Sequence, residues 1–210
     1  MPTILRVASG LAGLALCLAP SNAQTSVPAA ANRRAVINFA GAIDNAKFED
    51  LKYTIDSQIA RGVRKFTLLI SSAGGDMRAA ANAYNYLRTV PAEITTFSIG
   101  NVYSSALLLY CAGYRRYSLP GPDVRFLIQP TSANDAIVQA VSYLAPSKMP
   151  ELQDAIKVQR ILLPEQAKAW GIVQEIRHEF MEPGATFLAI DTPLPLIPFV
   201  TLVNTPQPAR

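Results

Sequence analysis

An α/β domain with a largely parallel sheet is the fold class this sequence predicts, and three observations predict it. Short apolar runs alternate with segments of helical period through most of the chain. One run, KFTLLIS at Lys65–Ser71, is nearly continuous in apolar residues, as a strand covered on both faces requires. Half of the 210 residues are hydrophobic and only 16% are charged, enough for a substantial core and too apolar for wholesale disorder.

The elements follow in order. AVINFAG (Ala35–Gly41) reads as the first strand. Phe48, Leu51, Ile55 and Ile59 then recur at helical spacing, with Gly62 as the stop. After the Lys65–Ser71 strand, Met77–Arg88 is Ala-rich and helical and ends before Pro91. EITTFSIG (Glu93–Gly100) is the next strand and Tyr103–Ala112 the next helix. RRYSL and VRFLI (Val124–Ile128) are strands flanking the turn PGP, and helices are expected around 135–144 and 150–160. PEQAKAW forms a short helix stopped by Gly171, and IVQEI is the last strand, leading to His178. No internal repeat is present.

Both ends differ in character from this body. Arg6 precedes the apolar run Val7–Ala19, and Ser21 and Ala23 stand at the −3 and −1 positions of a cleavage site. The run is shorter than the roughly 20 residues that span a bilayer, so residues 1–23 read as a cleavable signal peptide. The expected location is periplasmic or secreted. Leu16 before Cys17 is too large for a lipoprotein site. Residues 24–34 read as a flexible lead-in and 35–180 as the folded domain. Residues 181–210 read as a proline-rich C-terminal extension lying on the domain surface or on a neighbouring subunit.

The formal charge is +4, and the basic residues are scattered in ones and twos. No block could track a phosphate backbone, so nucleic acid is excluded as a partner. Removing the signal leaves Cys111 alone, unable to form an internal disulfide and placed within ALLLYCAG as a small buried hydrophobe. No metal or cofactor is expected.

The chemistry concentrates in two stretches. ISSAGGD puts Gly74 and Gly75 at a strand end, and GNVYSSALLLYCAG puts Ser104 and Ser105 at a strand-to-helix bend. Glycine lets a backbone turn sharply and approach a substrate. Amides in the first turn of a helix are unpaired. Together these are the parts of a serine nucleophile beside an oxyanion hole, for which fixed donors contribute roughly 3–4 kcal/mol of transition-state stabilisation. Yet the chain holds one histidine, His178, far downstream.

With these elements placed, the chain resembles the Clp protease proteolytic subunit family, within the fold shared with crotonases. The resemblance runs from about Ala35 to Ile176, on ISSAGGD, GNVYSSALLLYCAG, Leu119-Pro120, Gln129-Pro130 and AKAWGIV in that order. It implies that Ser104 is the nucleophile and that Gly74, Gly75 and the Ser105 N–H form the oxyanion hole. The same correspondence puts Ile128 where the family has its histidine and Gln159 where it has its aspartate. Neither side chain accepts a proton at neutral pH, and a serine hydroxyl without a base is a weak nucleophile.

The resemblance also bears on assembly. The family builds rings, stacked through a region that this chain shortens between Gln129-Pro130 and Gly171. A homo-oligomeric ring is therefore an expectation, a closed double ring is not, and an exported protein has no ATP-driven unfoldase to serve.

Three functions follow. The first is an exported Clp-protease-like protein that has lost catalysis and binds peptides or self-assembles. The alternative is an active serine-type endopeptidase pairing Ser104 with a non-standard base, Lys148 in APSKMP, as related signal-peptide-peptidase-like enzymes pair serine with lysine. A surface position for Lys148 and for His178 competes with any such role. Crotonase-type acyl-thioester chemistry ranks last, because no acid or base is placed for it.

Overall fold

The computed structural model describes residues 33–129, 139–140, 154, 157–180 and 182–190. Among these, eight strands form one sheet in the order β6-β5-β3-β2-β1-β8, with β4 joined to β3 and β7 joined to β4. The strands are β1 (Arg34–Ala40), β2 (Lys65–Ser72), β3 (Glu93–Tyr103), β4 (Arg115–Ser118), β5 (Phe126–Ile128), β6 (Arg160–Leu162), β7 (Glu175–Ile176) and β8 (Thr186–Ala189). The helices are α1 (Asn45–Ala60), α2 (Met77–Thr89), α3 (Ser105–Cys111) and α4 (Pro164–Ala169). Every pairing is parallel except β5 with β6.

The central strands are apolar because both faces are covered. Phe66, Leu68, Leu69 and Ile70 of β2 are all buried, as are Val36, Ile37 and Phe39 of β1. Phe48, Leu51 and Ile55 are the buried stripe of α1, each contributing about 1.5–3 kcal/mol by leaving water. Asp44 caps α1 by accepting from the Lys47 N–H at 2.8 Å, and Asp76 caps α2 by accepting from the Ala79 N–H at 2.8 Å. Val90 ends α2 in an extended conformation, as the residue before Pro91 must.

Strand β3 is longer than its sequence suggested, running past Gly100 to Tyr103. Its first part pairs with β4 (Thr95–Ser98) and its last part with β5 (Val102 and Tyr103), so the sheet divides along it. The break is an irregularity against β2: Ile70 faces Ser98, but Ser72 faces Val102. Gly100 lies in this bulge, where a Cβ would stand 2.4 Å from Ser71 Oγ.

Three expectations need correction. Arg160, taken as the end of a helix, opens β6, because its backbone pairs antiparallel with Ile128 of β5. The strand expected over IVQEI is reduced to Glu175–Ile176, since only these residues face β4. The strand expected over VRFLI is reduced to Phe126–Ile128. Past Phe180 the sheet continues: Thr186–Ala189 pairs along Ala35–Asn38 of β1. The helix expected at 135–144 lies outside the described residues apart from 139–140, which are helical. That expected at 150–160 lies mostly outside them.

Candidate active site

The two stretches meet at the ends of β2 and β3. Strand β2 delivers Gly74 and Gly75 beside the junction of β3 and α3, where Ser104 stands. Ser104 has φ 53° and ψ −124° and is the one non-glycine residue with positive φ among the described residues. Such a conformation costs on the order of 1–3 kcal/mol and persists only where the surroundings enforce it. Here the Ser104 N–H donates to the Leu127 carbonyl at 3.3 Å, and its own carbonyl accepts from the Leu107 N–H at 2.9 Å. The side chain forms no capping bond to its helix. At this sharp elbow its hydroxyl has no hydrogen-bond partner among the described residues.

The glycine loop is locked against this elbow. Gly74 has φ 92°, and a Cβ there would lie 2.7 Å from the Tyr103 carbonyl oxygen and 3.1 Å from Ser104 Cβ. Gly75 has φ 151° and bridges to Ile43, whose N–H donates to the Gly74 carbonyl at 3.0 Å and whose carbonyl accepts from the Asp76 N–H at 2.8 Å. The Ser105 hydroxyl donates to the Gly75 carbonyl at 3.2 Å, tying the loop to α3. With both Gly75 neighbours bonded to Ile43, the Gly75 N–H has no acceptor among the described residues, nor has the N–H of Ser105 at the first position of α3. These two amides are thus open to an acceptor from outside the described residues.

Sequence reasoning missed Ser72 and Ile43. The Ser72 hydroxyl, 2% exposed, accepts the Gly74 N–H at 3.1 Å and turns that amide away from the site. Its signal was present in ISSAGGD, but the bond becomes visible only once the loop geometry is known. Asp76, the acid of that string, is committed to capping α2 and is no catalytic acid.

Ile128 and Gln159 are the positions that the sequence resemblance assigns to base and acid. Tyr103 lies beside Leu127, and Ile128 lies beside Arg160, immediately after Gln159. Ile128 is buried at 2% exposure, whereas Gln159 is exposed. Neither can move a proton. His178 is exposed at the end of the β4–β7 arm, where the adjacent Arg177 N–H donates to the Ser118 carbonyl. Ser104 belongs to the other arm, against β5. Lys148 lies outside the described residues. Cys111 is buried, and desolvation pushes its thiol up to about 12, which keeps it protonated and unreactive.

The Clp protease family model matches residues 26–142, more than half of the chain. Among curated proteins, ATP-dependent Clp protease proteolytic subunit 2 of Thermobifida fusca is 39% identical over 59 residues, covering 27% of this chain and 29% of that protein. ATP-dependent Clp protease proteolytic subunit 1 of Rhodococcus jostii is 28% identical over 133 residues, covering 54% of this chain and 60% of that protein. The chain thus spans less than two thirds of the length of these relatives. Among solved structures, ClpP1 from Listeria monocytogenes superposes with a TM-score of 0.62 at 19% identity, covering 68% of this chain and 90% of the other. A point mutant of that same protein gives 0.61 at 21% identity, covering 69% and 91%. At these identities the structural likeness establishes the fold.

Proposed function

The chain belongs to the Clp protease family, and on that premise we propose that it is an exported, catalytically degenerate member that binds peptides or assembles with copies of itself. One observation carries the reading: Ser104 is held at a strained elbow beside two amides with no acceptor among the described residues. The sequence resemblance assigns Ile128 and Gln159 to the positions of base and acid. Such a site can cradle a carbonyl oxygen, and its isoleucine and glutamine cannot draw the proton from the serine hydroxyl. General-base assistance is worth 10²–10⁴-fold, about 3–5 kcal/mol of barrier, and neither Ile128 nor Gln159 can supply it. The exported location rests on the apolar run and Ser21/Ala23 pattern of the first 23 residues.

The test is labelling of the mature protein with a serine-directed fluorophosphonate. Labelling no faster than that of Ser104→Ala is expected. Rapid labelling that vanishes in Ser104→Ala overturns the degenerate reading, and its further loss in Lys148→Ala would identify the base. Sequencing the amino terminus of protein recovered from the periplasm or medium should find Gln24 first. Light scattering on that material should find a species heavier than one chain.

A further inference from the structure

A polar cavity of about 240 Å³ lies at the opposite end of the strands from Ser104, across the beginnings of β1, β2, β3 and β4. From Thr95 to Tyr103 along β3, the separation is about 25 Å. Four cations line it, Arg34, Lys65, Arg115 and Arg177, against two carboxylates, Glu93 and Glu182.

The cations are not equally satisfied. Arg34 is closed by Glu182 at 2.8 Å. Arg177 lies over the Tyr117 ring at 3.6 Å and holds Glu175 through two bonds of 3.0 Å. Lys65 and Arg115 must share Glu93, at 3.6 and 3.4 Å. Both distances exceed the 2.7–2.9 Å of a well-formed charged hydrogen bond. Arg115 also hydrogen-bonds the Tyr117 phenol, and the one further carboxylate that acts on it, Glu175, is already held by Arg177 through two bonds. One carboxylate between two underbonded cations leaves a positive charge and several N–H donors open to the cavity. Beside them Thr95, 9% exposed, has a hydroxyl with no hydrogen-bond partner among the described residues. Thr67 reaches Glu182 only at 3.4 Å.

We propose that this cavity binds a small oxyanion, a carboxylate or phosphate group held between Lys65 and Arg115 with Thr95 beneath it. Glu93 is then the built-in competitor: it keeps the two cations in place when the cavity is empty and weakens the incoming anion when it is filled. This assignment is independent of Ser104 and of whether the chain hydrolyses anything.

The test is titration calorimetry on the mature protein with inorganic phosphate and with citrate, at ionic strength matched with sodium chloride. Saturable binding of either, one per chain, is expected, and the one that binds separates tetrahedral from planar oxyanion chemistry. Lys65→Gln and Arg115→Gln should each weaken it about tenfold. Arg125→Gln removes an equal charge at the other end of the sheet and should change nothing. Glu93→Gln should tighten binding several-fold, an opposite sign that loss of folding cannot mimic. No saturable binding of either anion below about 10 mM, an equal loss in Arg125→Gln, or a Glu93→Gln variant that fails to tighten would each overturn the assignment.

Discussion

A Cβ on Gly75 would lie 2.2 Å from the Ile43 carbonyl oxygen and 2.7 Å from its nitrogen. Backbone cannot retreat as a flexible side chain can, so Gly75→Ala must break the bridge to Ile43 that holds the amide loop. A loss of roughly 2–3 kcal/mol is expected, read as a lower midpoint in urea. An unchanged midpoint would mean that the loop does not depend on this contact. At this scale the sequence announced the glycines and the serine pair, since both are local patterns. It could not announce that Ser104 takes a positive φ, because serine has no preference for that region. Nor could it show that Ser72 orients the Gly74 amide, a bond set by a turn two residues away.

Helices α1 and α2 are joined by a small polar link as well as by the edge contact of Phe48 with Tyr86. Lys52 donates to Asp56 at 2.7 Å, and the Tyr86 hydroxyl donates to the same carboxylate at 2.7 Å. The Lys52 and Tyr86 hydrogen bonds hold the Asp56 carboxyl below its ordinary 3.8. Burial, then Asp56, pushes the Tyr86 phenol up. A carboxyl whose folded pKa is depressed contributes stability that is present above the unfolded value and lost as the pH falls through the folded one. Asp56→Asn should therefore cost a few tenths of a kcal/mol at neutral pH, and the difference from wild type should shrink as the pH falls below about 4 and through the lower folded value. Parallel urea titrations at pH 7 and pH 3 measure it. The helices themselves were legible because α1 repeats its apolar residues at helical spacing and α2 is an Ala-rich run that ends before a proline. The three-residue β6 and four-residue β8 were not. Strands so short are defined by their partners, and those partners lie far away in the chain.

At the scale of the whole molecule, the division into a folded domain ending at 180 and an appended tail has to accommodate β8. Its residues close the outer edge of β1, and Ala185 and Ile190 on either side of it are buried. Glu182 also anchors Arg34 at the start of β1. Cutting the chain after Phe180 removes all of this and bares an apolar strand edge. The expected outcome is a loss of about 3 kcal/mol or more, with aggregation on heating. A truncated protein with the melting temperature of the full chain would show that β1 needs no cover. Proline-rich composition hid this strand, since the pattern of the surrounding segment argued for an extended tail. The same pairing has a consequence in time. A polypeptide leaves the ribosome with its amino end leading. Here the earliest strand of the sheet waits for residues that emerge about 150 positions later. Until then its outer edge stays unpaired, so completing the sheet is a long-range step and slow for that reason.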